Sequence, residues 1–204
     1  MTGTARAEAC NAYRSLGRLG LIQGSSGNLS VRTWNGMLIS PTGTKPERIE
    51  PAQMVAMDLQ EPAAGASSEW ALHAAVYQAN EAFGAIVHTH ADACTALACL
   101  AEPLPPFHYL VASFGGDDVR CAPYATFGTP ALAAVAAVAM RDRTACLLAN
   151  HGMIAAGPSL DDAVETALRL ETLVRQYLLA RSAGVPRLLT AEQMAEARER
   201  FLTY

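Results

Sequence analysis

The stretch Ala85-Ile86-Val87-His88-Thr89-His90 constrains the fold of this chain more than any other. It is short, apolar at its start and rich in β-branched residues, which predicts a buried strand. A second run, Thr144–Ala149, has the same character and stops at Asn150-His151-Gly152, after which Met153–Ala156 continues extended. Buried strands need helices packed on the sheet, and the chain supplies them. Ala5, Ala9, Tyr13, Leu16 and Leu19 recur at helical spacing over residues 4–19. Ser67 or Ser68 caps a helix to about Asn80, with Glu69 in its first turn. Residues 91–100 form a further helix. Thr129-Pro130 opens an alanine-rich helix to about Arg141. Ser159 with Asp162 and Thr190 with Gln193 make capping boxes for two more helices, to about Ala180 and Phe201.

The remaining strands are short. Asn35-Gly36 between Leu29–Thr33 and Met37–Ser40 predicts a hairpin. Met54–Asp58 is another strand, and residues 106–121 are read as strand with a break at Gly115-Gly116. The sum is a single α/β domain over residues 1–204, with a central mixed or antiparallel sheet flanked by helices.

At 204 residues, 51% hydrophobic, the chain can bury one sizeable core. A net charge of −4 with 6% aromatics excludes a nucleic-acid surface. No apolar run reaches membrane-spanning length, and the amino terminus has no signal-peptide core. Five cysteines at positions 10, 94, 99, 121 and 146, with no Cys-x-x-Cys pair, suit reduced thiols and a cytoplasmic setting.

Three features carry chemistry. On a strand His88 and His90 point to the same face, where two imidazoles suit one divalent cation. The bland alternative is a pair of polar residues on a solvated face, which the apolar Ala85-Ile86-Val87 opposes. His151, at the end of another buried strand, is either a hydrogen-bonded loop histidine or a third ligand. As a ligand it completes a His₃ set with a position open to substrate. Glu69 is either an acidic residue favoured by a helix start or a fourth ligand and general acid/base. The loops Gly24-Ser25-Ser26-Gly27-Asn28 and Thr42-Gly43-Thr44 offer N–H and hydroxyl donors that cradle phosphates and equally make ordinary turns. His73, one turn after Glu69, pairs with that carboxylate or packs structurally. His108 reads as a surface residue.

In order, Gly27-Asn28, Ser40-Pro41-Thr42-Gly43, Ser67-Ser68-Glu69, His88-Thr89-His90 and Asn150-His151-Gly152 resemble the class II aldolase/adducin head family. Pro123–Thr129 and His108-Tyr109 resemble its branch acting on L-fuculose 1-phosphate. The resemblance implies a three-layer fold and a Zn²⁺ site, also suited to Co²⁺ or Mn²⁺, held by His88, His90, His151 and Glu69. It implies a substrate phosphate held by Gly27, Asn28, Thr42, Gly43, Ser67 and Ser68. Glu69 would be the catalytic acid/base. Tyr109 from a neighbouring subunit and Tyr204 would act on the aldehyde side, in a homotetramer with sites between subunits. Asn150 departs from that branch, which has a different polar residue there.

The implied reaction is reversible cleavage of a ketose 1-phosphate to dihydroxyacetone phosphate and an aldehyde. A carbanion formed next to a carbonyl needs either a lysine imine or a Lewis-acid metal. Lys45 is the only lysine among 15 basic residues, and it lies beside Pro46 in a polar loop. The competing readings share the site. They are a methylthioribulose- or deoxyribulose-1-phosphate aldolase of a salvage pathway, a pentulose-5-phosphate 4-epimerase, and a decarboxylase of a phosphorylated keto acid. The epimerases carry an aspartate where Val111-Ala112-Ser113-Phe114 has no carboxylate. An adducin-like assembly module is the non-enzymatic alternative.

Overall fold

A computed structural model describes residues 3–201 and 203. Its strands are β1 (Gly27–Thr33), β2 (Gly36–Ile39), β3 (Val55–Met57), β4 (Ala85–Thr89), β5 (Cys121–Ala122), β6 (Ala145–Leu148) and β7 (Gly152–Gly157). They form one sheet in the order β3-β2-β1-β4-β7-β6-β5. Neighbours pair antiparallel except β5 and β6, which are parallel, so the sheet is mixed. The helices are α1 (Gly3–Arg18), α2 (Trp70–Ala79), α3 (Asp92–Ala98), α4 (Pro130–Ala139), α5 (Leu160–Ala183) and α6 (Ala191–Phe201).

Every residue of β4, β6 and β7 is buried, because both faces of the sheet are covered. Alternate residues feed two separate cores. Ala85, Val87, Ala145, Leu147, Met153 and Ala155 pack with α1, α3 and α5 on one face. Ile86, Cys146, Leu148, Ile154 and Ala156 pack with α2 and α4 on the other. The result is the expected three-layer α/β/α arrangement. Each Leu, Ile or Val fully buried this way contributes about 1.5–3 kcal/mol. Among the described residues no helix is long and apolar enough to cross a membrane.

The expected caps at Ser159 and Thr190 are both present. Ser159 Oγ accepts from Asp162 N, and Gln193 Oε1 accepts from Thr190 N at 3.0 Å. Two local expectations are corrected. The hairpin loop is Trp34-Asn35, with Gly36 already paired to Thr33 in β2. Gly36 is required by crowding: a Cβ there would lie 2.1 Å from the Met57 carbonyl oxygen of β3. Residues 109–114 are a 3₁₀ helix rather than a strand. His108 Nδ1 accepts from Leu110 N at 3.1 Å and starts the turn, and Gly115 at φ 95° ends it. Val111, Ala112 and Phe114 face the core while Tyr109 faces out, a helical spacing that an apolar hexapeptide does not announce.

Candidate active site

β1 and β4 are adjacent antiparallel strands, with Asn28 opposite His88. Their shared face lies under α2. The β6–β7 turn brings His151 to the same end of the sheet. That turn is tight: Asn150 has φ 55°, a left-handed conformation that asparagine tolerates better than most residues. Gly152 follows because a Cβ there would lie 2.3 Å from the Thr89 carbonyl oxygen, beside His90. The glycine therefore lets β7 start against the end of β4.

His88, His90 and His151 converge. Their ring centroids stand 4.7–5.0 Å apart, and their ligand nitrogens all lie within 4.8 Å of one another. His88 Nδ1 donates to the Met153 carbonyl at 2.9 Å, which leaves the Nε2 lone pair facing inward. That Nε2 lies 3.1 Å from His90 Nε2. Burial depresses the basicity of all three rings. His88 falls well below its ordinary range, helped by the neighbouring imidazoles, His90 is lowered, and His151 drops to about 4. Three rings held towards the neutral form thus bring their ligand nitrogens together.

Glu69 stands at the boundary of α2. The sequence placed it inside the first turn under a Ser67 or Ser68 cap. In the structure Ser67 Oγ accepts from Glu69 N at 3.2 Å, and α2 begins at Trp70. The Glu69 side chain makes no cap bond and is free to enter the cluster. Its Oε1 accepts from Gly128 N at 2.8 Å. Its Oε2 is buried without a hydrogen-bond partner among the described residues, 3.5 Å from His88 Nε2 and 3.6 Å from His151 Nε2. These contacts are not ion pairs, because the rings are neutral. Burial raises the Glu69 pKa, and the Gly128 N–H partly offsets that.

A buried carboxylate oxygen without a partner among the described residues, beside converging imidazole nitrogens, fits a divalent cation. Zinc–ligand bonds of about 2.0–2.1 Å put neighbouring tetrahedral ligands about 3.3–3.4 Å apart. The 3.1–3.6 Å separations here bracket that value.

The cluster forms one wall of a cavity of about 340 Å³. The same cavity is lined by the predicted Gly27, Asn28, Thr42, Gly43, Ser67 and Ser68, joined by Ser25 and Ser26. Tyr13 of α1 ties the two loops: its hydroxyl is 3.1 Å from the Gly27 carbonyl oxygen and 2.9 Å from that of Thr44. The sequence placed Tyr13 only in an apolar helix stripe, and nothing local marks its hydroxyl. Tyr124, Ala125 and Phe127 also line the cavity. They lie in a stretch whose likeness to relatives was legible but whose place in the cavity was not.

One predicted residue is not gathered here. Tyr109 is 52% exposed on its 3₁₀ helix and does not line the cavity. Tyr204 lies outside the described residues. His73 does not pair with the Glu69 carboxylate; its ring bonds Ser30 and Asn28.

Comparison with known proteins agrees with this architecture. The class II aldolase and adducin N-terminal domain family matches residues 7–178. The 5-methylthioribulose-1-phosphate/5-deoxyribulose-1-phosphate aldolase of Rhodospirillum rubrum is 44% identical over 197 residues, covering 95% of this chain and 89% of that protein. An L-fuculose phosphate aldolase of Escherichia coli is 44% identical over 192 residues, covering 92% and 89%. A solved L-fuculose 1-phosphate aldolase superposes with a TM-score of 0.93 at 38% identity, covering 99% of this chain and 98% of that one. With its sheet, helical layers and histidine cluster all accounted for, the chain belongs to the class II aldolase and adducin N-terminal domain family.

Proposed function

We propose that this chain is a metal-dependent aldolase that reversibly cleaves a ketose 1-phosphate to dihydroxyacetone phosphate and an aldehyde. One observation carries the reading: three clustered imidazoles and a buried carboxylate oxygen with no hydrogen-bond partner among the described residues share a cavity also lined by Gly, Ser, Thr and Asn. His88, His90 and His151, with Glu69, would hold Zn²⁺, or Co²⁺ or Mn²⁺. The bound cation supplies Lewis-acid stabilisation of negative charge on substrate oxygens.

The chain's own residues do the rest. Backbone N–H groups of Gly27 and Gly43, the hydroxyls of Thr42, Ser67 and Ser68, and the Asn28 amide hold the phosphate. Glu69 moves the proton at carbon. Burial has raised its pKa, which brings the carboxyl closer to the range where it can both accept and return a proton. Lys45 is exposed and does not line the cavity, so no imine route is available to it.

Tyr109 serves the cavity of a neighbouring subunit in a homotetramer; its exposure on a helix that misses its own cavity supports this. Tyr204 is assigned to the aldehyde side. The cytoplasm is the assigned setting, in keeping with cysteines that are all free.

A second reading has its own support. Tyr124, Ala125 and Phe127 give the cavity an aromatic and apolar side. Such a wall suits an aldehyde ending in a methyl or methylthio group. L-Fuculose 1-phosphate and 5-methylthioribulose 1-phosphate both meet that description, and aldolases of both kinds are 44% identical to this chain.

A coupled assay for dihydroxyacetone phosphate, run across a panel of ketose 1-phosphates with and without chelator, tests the proposal. Release from at least one substrate, abolished by chelator and restored by metal, is expected. Release that survives complete metal removal overturns it.

A further inference from the structure

Four buried polar side chains beneath the cavity form a single file. Asn28 and Ser30 lie two apart on one face of β1, and His73 and Tyr77 lie one turn apart on α2 above them. His73 Nε2 is 2.5 Å from Asn28 Oδ1, and His73 Nδ1 is 2.7 Å from Ser30 Oγ. Ser30 Oγ is 2.9 Å from the Tyr77 hydroxyl oxygen. Ser30 and His73 are fully buried, as is Tyr77; Asn28 alone reaches the cavity.

Proton accounting allows this file two arrangements. A buried histidine with no carboxylate bonded to it is neutral, so His73 carries one N–H and one lone pair. Burial lowers its pKa to about 3, in keeping with that state. In one arrangement Nδ1–H donates to Ser30, Ser30 donates to Tyr77, and the Asn28 NH₂ turns inward to the bare Nε2. The Tyr77 proton then has no acceptor: among the described residues its hydroxyl meets only Ser30. Arg32, whose guanidinium lies 4.5 Å over the Tyr77 ring, is a donor only. A buried hydroxyl proton left unbonded costs about 1–3 kcal/mol. In the other arrangement every proton is used. Tyr77 donates to Ser30, Ser30 to His73 Nδ1, and His73 Nε2–H to Asn28 Oδ1.

We infer that His73, held as the Nε2–H tautomer by Ser30 and Tyr77, is a positioning residue that locks the Asn28 amide with its NH₂ turned to the cavity. The wall there is then a pure hydrogen-bond donor. It welcomes phosphate or other anionic oxygens and rejects groups that only donate. The ligand half of this inference rests on the aldolase reading; the tautomer half does not.

The test has two parts. In the zinc-loaded full chain labelled with ¹⁵N-histidine, long-range ¹H–¹⁵N correlation reads the tautomer, with the His73 signals assigned by their loss in His73→Gln. A protonated Nε2 and bare Nδ1 are expected; the Nδ1–H form overturns the inference. Steady-state kinetics supply the second part. His73→Leu frees the Asn28 amide to turn, and should raise KM for the ketose 1-phosphate and the inhibition constant of inorganic phosphate about tenfold. Metal content should stay stoichiometric, and kcat should fall less than KM rises. His73→Gln, which can donate to Asn28 and accept from Ser30 in the same sense, should keep KM within about threefold of wild type. Wild-type KM and phosphate inhibition in His73→Leu would sink the positioning role. If that variant does not fold, the tautomer together with the glutamine variant decides. If no ketose 1-phosphate is cleaved, the aldolase reading fails alone, and phosphate binding measured by calorimetry makes the same comparison without turnover.

Discussion

Glu69 occupies the last position before α2, and that placement gives its carboxylate two different oxygens. Oε1 is anchored by the Gly128 N–H, while Oε2 faces the imidazoles unpartnered. A side chain held at one oxygen and free at the other suits a group that both touches a cation and carries a proton. Glu69→Gln keeps the shape and one acceptor but cannot take up a proton. It should retain metal, measured by elemental analysis, and bind substrate, while turnover falls about 10²–10⁴-fold. A near-normal rate would remove Glu69 from the mechanism. His73 makes a stability prediction of opposite kind. Its folded pKa of about 3 lies below the unfolded value of about 6.5. Below that unfolded value the unfolded chain binds a proton that the folded one refuses. Its contribution is thus fully present above about pH 6.5 and is lost as pH falls towards the folded pKa, by up to about 1.4 kcal/mol per unit. Urea unfolding between about pH 4 and 6 should show a slope shallower by up to that amount in His73→Gln than in wild type. Equal slopes would mean that His73 titrates alike in both states.

At the scale of elements, the site depends on where α3 begins, two residues after His90. Its N-cap position is Ala91, which offers no side-chain acceptor. The acceptor comes instead from α5: the buried Glu171 carboxylate takes the Ala93 N–H at 3.0 Å and the Cys94 N–H at 2.9 Å. Nothing in the local sequence of either helix shows this cap, because its two halves lie 77 and 78 residues apart. Glu171→Ala leaves both donors buried and unbonded, at about 1–3 kcal/mol each. Chemical denaturation should show a loss of about 2–4 kcal/mol, part of it recovered by glutamine. The 3₁₀ helix Tyr109–Phe114 teaches the same lesson. Its six residues suit a strand as well as a helix; in the fold His108 caps the turn and Gly115 ends it.

At the scale of the whole molecule, the cation would bind the folded chain and not the unfolded one, since its ligands come from the start of α2, the end of β4 and the β6–β7 turn. Ligands that bind only the native state stabilise it by mass action, about 2.7 kcal/mol at a hundredfold excess over Kd. Chelation should therefore lower Tm, and added Zn²⁺ should raise it in a concentration-dependent way. An unchanged Tm would argue against a native-state site. The proposed assembly predicts a four-chain mass by sedimentation. Tyr109→Ala should lower kcat without changing metal content, and a fully active monomer would defeat both assignments.

Much of this protein is legible in its sequence. The alternation of side chains along a strand set His88 and His90 on one face, and capping residues at Ser159 and Thr190 marked two helix starts. These are short-range rules in which the deciding residues are sequence neighbours. Convergence of His151 on His88 and His90 was one of two readings open to the sequence, favoured by the resemblance, and it required the sheet order that sets the β6–β7 turn beside the end of β4. The orphaned Oε2 of Glu69, the Tyr13 tie between the loops, the Glu171 cap and the direction of the Asn28–His73–Ser30–Tyr77 file belong to tertiary structure alone. The physical reason is that hydrogen-bond satisfaction in a buried site is an accounting among groups far apart in the chain. No residue type or spacing reveals which partner a buried donor will find until packing has excluded water and every rival.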